Sequence, residues 1–218
     1  MRQIAVMGLS AFGLALVESL ANERCRVLAV DIDEHRVNEV RDLADEAAIA
    51  DVRDRKALEA LRIMDYDAVV LSVGEPLDAS LLAVLHLRDL KVTHIIAKAV
   101  SENHRRLLLK LGVEEAVFPE ADMARRVART LSNPSVIEAV NLGTDFTLLE
   151  VAPPKEFIGL TLAEISERLR DRVSVIAIRD MLRDEMRMNP SPTARITDSD
   201  VLVVIGKDPE VRRLTQKI

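Results

Sequence analysis

Cysteine and aromatic residues are almost missing from this 218-residue sequence, which has one Cys, one Tyr, four Phe and no Trp. A single thiol, Cys25, closes no internal disulfide and builds no thiolate cage for zinc; it fits a reducing compartment and a small apolar packing role. With so few rings, recognition of single-stranded nucleic acid by base stacking has almost nothing to work with. Excess positive charge is lacking too. The 30 Lys and Arg stand against 36 Asp and Glu, a formal net charge of −6, opposite in sign to what a phosphate backbone or an anionic lipid surface attracts. No apolar run approaches the roughly 18–20 residues that span a bilayer. After Met1-Arg2 the first apolar run is short, stopped by Gly8, and shows no small-residue cleavage pattern of a secretory signal. A cytoplasmic chain with no nucleic-acid partner and no pore of its own is the expectation.

What is present is a chain 49% hydrophobic and 30% charged, long enough to bury roughly 70% of its unfolded surface. Short apolar runs alternate with helical spacing. Gln3–Met7 reads as a strand and Phe12–Glu23 as a helix, with Phe12, Leu16, Val17 and Leu20 on one side. The alternation continues with strands at 26–30, 47–50, 68–72, 94–98 and 115–118 and helices at 34–43, 54–62, 78–90 and 101–111. Apolar, β-branched strands without polar alternation are those buried on both faces, and regular helical connections permit parallel pairing by right-handed crossovers. The predicted fold is α/β, a Rossmann-like doubly wound parallel sheet, followed by a small α+β domain. A helix runs from Pro119 to about Leu131, and Ser132-Asn133-Pro134-Ser135 breaks the pattern. Domains 1–134 and 135–218 follow. The second shows strands at 147–151, 173–178 and 201–205, a helix at 161–169 and a hairpin-like Met186–Met188.

Directly after the first strand stands Gly8-Leu9-Ser10-Ala11-Phe12-Gly13, a dinucleotide fingerprint with its first and third glycines in place and Ser10 at the second. The first glycine allows the tight turn and the third lets helix pack close on sheet, while the helix N-terminal amides face the phosphates. The Ser10 hydroxyl can bond a phosphate oxygen; a plain strand-to-helix turn is the alternative. In Val30-Asp31-Ile32-Asp33, Asp31 closes the second strand where the fingerprint expects its acid. A carboxylate there accepts from both ribose hydroxyls and repels a 2′-phosphate, which favours NAD over NADP. A strand-end Asp without ligand is the alternative, and Asp33 suits a helix cap better. Ala50-Asp51-Val52 and Ser72-Val73-Gly74 end further strands on the same crevice, Asp51 toward the adenosine side, with Asp54 more simply an N-cap.

This glycine turn, with Asp31, Asp51, Lys98 at the end of the fifth strand, Pro119-Glu120 after the sixth, and the later Ile158-Gly159 and Asp200 turn, resembles the regulator-of-potassium-conductance (RCK) family. In particular it is similar to the free-standing cytosolic gating subunits of Trk and Ktr potassium uptake systems, with TrkA-N and TrkA-C domains. The resemblance covers essentially the whole chain. It implies a cytoplasmic, non-catalytic regulatory subunit peripheral to the inner face of the membrane. It further implies adenine-nucleotide binding (NAD(H), ATP or ADP), dimers assembled into a ring, and docking on a membrane potassium channel or transporter subunit. Such proteins commonly carry Gly in place of Ser10 and Arg in place of Ala11, the Arg serving the terminal phosphates; its loss weakens discrimination of ATP from ADP. Lys98 can supply part of that charge, or be merely solvated. Glu120 either complements its helix dipole or, as in some relatives, takes part in divalent-cation binding between subunits.

An NAD-dependent oxidoreductase is the rival reading of such a fold. Tyr66 has Val70 where a Tyr-x-x-x-Lys pair needs lysine, and the histidines His35, His86, His94 and His104 show no metal-ligand spacing. A third reading makes the C-terminal domain a cyclic di-AMP sensor, with Val175–Arg179 and Asn189-Pro190 as the place to look; a strand end and a turn are the plain alternative.

Overall fold

The computed structural model describes residues 1–132, 135–169 and 172–215. It divides into two compact units, Met1–Asp122 and Met123–Ile218.

In the first unit each apolar run becomes a strand and each helical period a helix. The order is β1 (Arg2–Met7), α1 (Ala11–Ala21), β2 (Cys25–Asp31), α2 (Glu34–Glu39), β3 (Glu46–Ile49), α3 (Arg55–Ala60), β4 (Ala68–Leu71), α4 (Leu77–Asp89), β5 (Ile95–Lys98), α5 (Glu102–Lys110) and β6 (Glu115–Val117). The helix α6 (Pro119–Ser132) starts in this unit and runs past the division. The sheet is parallel throughout, in the order β3-β2-β1-β4-β5-β6, the doubly wound arrangement expected. Both faces are covered. Met7, Leu28, Leu71, Leu87 and Ile95 centre one core, and Val6, Leu9, Val17 and Ala29 centre the other, so consecutive residues of β1 and β2 serve opposite layers as the pleat requires.

Helix starts follow local chemistry. Asp33 caps α2 by accepting the His35 amide at 2.9 Å, and Asp54 caps α3 by accepting the Lys56 amide at 2.9 Å. Both helices are shorter than predicted. Past α3 the chain takes a left-handed turn at Arg62 (φ 52°) into a 3-10 segment, Ile63–Asp65, which buries Ile63 and ends the helix sooner than the apolar period suggests.

The second unit is a five-stranded antiparallel sheet in the order β10-β9-β11-β8-β7. Its elements are β7 (Val136–Leu142), β8 (Phe146–Val151), α7 (Leu162–Leu169), β9 (Val173–Asp180), β10 (Glu185–Met188), β11 (Asp200–Lys207) and α8 (Asp208–Thr215). Phe157, Ile165, Ile178 and Leu202 form its core. Sequence reading missed two elements. Strand β7 pairs with β8 across a turn containing Gly143 (φ 69°); as an edge strand it is mostly exposed and carries no clean apolar run. Among its described side chains, helix α8 buries Val211 and Leu214, too little periodicity to stand out. The boundary expected at Asn133-Pro134 lies outside the described residues.

Candidate functional site

Parallel strands send all their carboxyl ends to one edge, and β1 and β4 lie side by side where the strand order reverses. At that place the chain leaves a crevice of about 460 Å³, within the range of small-ligand sites.

The glycine turn forms its floor. Gly8 takes φ 92°, and a Cβ there would lie 2.8 Å from Val73 Cγ2 and 2.9 Å from the Ser72 carbonyl carbon, so only glycine fits between β1 and β4. A Cβ on Gly13 would run into the Gly8 carbonyl oxygen, the close helix-to-sheet approach expected of the third glycine. Ser10 is the N-cap of α1 but makes no side-chain cap bond. Its hydroxyl instead meets Ser72 Oγ at 3.2 Å.

Asp31, only 6% exposed, does more than close β2. Oδ2 accepts the Leu9 amide at 2.6 Å and Oδ1 the Asp33 amide at 2.9 Å. The carboxylate therefore holds the glycine turn in place and keeps one acceptor position on each oxygen for a ligand. Arg36 Nη1 stands 3.7 Å away. Asp51 is gripped by Arg53, whose Nη2 donates to Oδ2 at 2.7 Å and Nε to Oδ1 at 3.0 Å. The hydrogen bond from Arg53 holds the Asp51 carboxyl below its usual range.

Ile32, Val52, Val73 and Gly74 lie along the walls with Gly8, Ser10, Asp31, Asp51, Ser72 and Lys98. Ala11, Phe12 and Gly13 do not: they form the first turn of α1, where Gly13 serves packing and Ala11 is exposed. Glu120 is also off the wall and touches it through Lys98, whose Nζ is 2.6 Å from Glu120 Oε1. Lys98 is thus a paired cation. Its hydrogen bond holds the Glu120 carboxyl below its usual value. Among the described residues no cluster of three or more His, Cys, Asp or Glu is placed to hold a metal.

Two wall cations, Arg36 and Arg53, escaped sequence reading. Their signal was present: each follows a strand-end Asp by a few residues, where the chain turns back over the crevice. Tyr66 precedes β4 and so stands at the end of the sheet away from the crevice, and burial raises its hydroxyl pKa. In the second unit Arg179 pairs with Asp184 at 2.7 Å. Asn189 adopts a left-handed turn (φ 46°) with its amide on the Ile176 carbonyl at 3.0 Å. Both are accounted for by the β9–β10 hairpin.

A Rossmann-like unit with its crevice at the switch point, followed in one chain by a small antiparallel unit, is a fold shared with the GsuK RCK domain, at TM-score 0.67 and 18% identity over 100% of this chain and 47% of that one. The chain belongs to the TrkA family: the TrkA-N domain model matches residues 4–119 and the TrkA-C domain model residues 146–218. It is similar to the Ktr system potassium uptake protein C of Bacillus subtilis, with 32% identity over 100% of this chain and 97% of that protein. It is 31% identical to the Ktr system potassium uptake protein A of Vibrio alginolyticus over 94% of this chain and 92% of that one. Among solved structures, the GsuK channel bound to NAD shares the fold, with TM-score 0.65 and 18% identity over 98% of this chain and 38% of that one. Among the described residues no helix is long and apolar enough to cross a membrane.

Proposed function

We propose that this chain is a cytoplasmic regulatory subunit of a membrane potassium-uptake system, and that an adenine nucleotide in the β1/β4 crevice sets its state. The observation that carries this is likeness from end to end. A relative named as a Ktr potassium uptake protein aligns over 97% of its own length. A structural neighbour is named as bound to NAD.

The crevice suits the role. Phosphates sit against the α1 N-terminal amides, where backbone dipoles favour an anion. The remaining acceptor positions of Asp31 face the ribose hydroxyls, and Asp51, oriented by Arg53, faces the adenosine side. The native ligand is NAD(H), ATP or ADP. With Ala11 supplying no cation, Lys98 paired to Glu120 and Arg53 to Asp51, Arg36, held only loosely at 3.7 Å from Asp31 and 3.8 Å from Asp33, is the crevice cation most readily turned to a phosphate. A divalent cation at Glu120 requires an exchange, since it must displace the Lys98 ammonium and find a second carboxylate from a two-fold-related copy. Self-association is supported by α6, where Met123, Val127 and Leu131 are exposed at four-residue spacing. Ligand binding acts by shifting the shape that the membrane subunit reads, in proportion to its differential affinity for two states. No group here is assigned a catalytic step, and Arg179 and Asn189, the places named for cyclic di-AMP, are taken up by the β9–β10 hairpin.

The test is growth of a potassium-uptake-deficient bacterium at low potassium, carrying a Ktr or Trk membrane subunit with and without this chain. Nucleotide co-purifying with the chain is identified in parallel. Uptake indifferent to the chain, together with no binding of NAD, ADP or ATP, sinks the proposal.

A further inference from the structure

We infer that His104 is a positioning residue for the nucleotide crevice: it fastens the loop after β4 to the neighbouring loop after β5 and so fixes the position of the lining that both loops supply. This rests on reading the crevice as a nucleotide site.

His104 lies in the first turns of α5, behind the wall, and is 1% exposed. Its Nδ1 stands 3.4 Å from the Val100 amide nitrogen, and its Nε2 2.9 Å from Ser80 Oγ, which in turn lies 2.8 Å from the Leu77 carbonyl oxygen. The hydrogens of this chain have one consistent order. The Val100 N–H is donor only, so Nδ1 accepts. The neutral ring then carries its proton on Nε2 and donates to Ser80 Oγ, and the Ser80 hydroxyl donates to the Leu77 carbonyl. Burial pushes the His104 pKa down, in keeping with a neutral ring. Every polar atom of the series is satisfied once.

The two ends of this series belong to neighbouring loops that line the crevice, after the adjacent strands β4 and β5. Val100 lines the crevice and follows Lys98 by two residues; Leu77 opens α4 directly after Gly74, Glu75 and Pro76, all three of which line it. On the crevice side the same two loops touch, since a Cβ on Gly74 would come within 2.6 Å of Val100 Cγ1. The loops are thus in van der Waals contact in front and tied by His104 behind. Ser80 is completely buried and His104 nearly so, and neither touches the ligand space. The arrangement holds the Gly74 backbone and the Lys98 loop at one separation. Hydrophobic side chains at 80 and 104 would fill the volume without fixing it.

The test uses the full chain. Ser80→Ala, His104→Asn and the double variant are titrated calorimetrically with whichever of NAD, ADP and ATP the wild type binds tightest. Apo melting temperature and hydrogen exchange at the Val100 amide are followed alongside. Ser80→Ala removes little volume and keeps the protein foldable. Each single variant is expected to weaken binding roughly 5- to 10-fold, the scale of one lost hydrogen bond, and Ser80→Ala to speed exchange at Val100. The double variant is expected to bind no worse than His104→Asn alone, because both changes break the same link. Variants that melt earlier yet bind with wild-type affinity make His104 a core brace and overturn the inference. A wild type that binds none of the three nucleotides removes the crevice reading and this inference with it.

Discussion

The two units of this chain use opposite sheet geometries: the first gathers strand-end loops around its crevice of about 460 Å³, whereas the space of about 440 Å³ in the second lies beside helices α7 and α8, among Phe157, Arg168, Arg172, Glu210 and Leu214. In the first, six parallel strands deliver Gly8, Asp31, Asp51, Ser72 and Lys98 to one edge. In the second, antiparallel neighbours alternate direction, so strand ends are shared between two edges. Its edge strands carry exposed apolar residues, Ile137, Val140 and Leu142 on β7 and Met186 and Met188 on β10. Such residues on sheet edges are characteristic of surfaces that meet protein. The titratable groups divide likewise. All four histidines, at 35, 86, 94 and 104, lie in the first unit. Parallel topology makes a site out of strand ends; antiparallel topology makes a surface out of strand faces.

The most disruptive way to separate the units is to damage one core and read the other. Phe157, 2% exposed, is the largest side chain fully buried in the second unit, and Phe157→Ala is expected to destabilise that unit by about 3–5 kcal/mol. Nucleotide affinity at the crevice should stay within about twofold, as for independent sites. Calorimetry beside chemical denaturation followed by hydrogen exchange checks this; a crevice that loses its ligand along with the Phe157 core means the two units are energetically one.

Asp31→Ala comes next, aimed at the crevice alone. It removes a charged acceptor from the ribose and also leaves the Leu9 and Asp33 amides without their partner, so affinity should fall by about 1.5–3 kcal/mol. The preference for NAD over NADP should shrink with it. Unchanged affinity would leave Asp31 as a turn brace and nothing more.

The smallest effect is one of pH. His104 is held below its usual value of 6.5 by burial, so the unfolded chain binds its proton more readily than the folded one. The stability this contributes is fully present above pH 6.5 and is lost as pH falls through 6.5 toward the lowered folded value. The second unit has no histidine to titrate. Its shifted carboxyl, Glu164, lies below 4.5 because the Thr161 amide and hydroxyl donate to it, so that contribution is lost only at more acid pH. Between pH 7.5 and 5.5, hydrogen-exchange protection, taken relative to the intrinsic rate at each pH, should therefore fall in the first unit while it stays flat in the second. His104→Gln should remove the difference; equal acid response in both units would break the comparison.

Much of the first sheet was legible because each strand is a compact apolar run and each connection a helical period, signals that lie within a few residues of each other. The crevice was legible in outline for the same reason: a glycine turn and strand-end acids are local features. What escaped was relational. Arg36 and Arg53 went unremarked in the sequence, and the fold sets them beside Asp31 and Asp51 on the crevice wall. Lys98 read as a spare cation until α6 brought Glu120 to 2.6 Å. The second unit was harder, since β7 is an edge strand whose residues need little burial and so carry little pattern.

The sequence by itself determined the alternation of elements, the glycine positions without which β1, β4 and α1 could not approach, and the excess of acid over base. Those follow from backbone geometry and local periodicity, which act over one or two turns of chain. Only the tertiary structure decided which charges neutralise each other, that Asp31 spends half its acceptors on its own backbone, and that His104 bridges Ser80 and Val100 behind the crevice. The Lys98–Glu120 pair and the Asp31–Leu9 and Ser80–His104 hydrogen bonds join residues more than twenty positions apart, and no short-range signal encodes a partner that only folding brings within 3 Å.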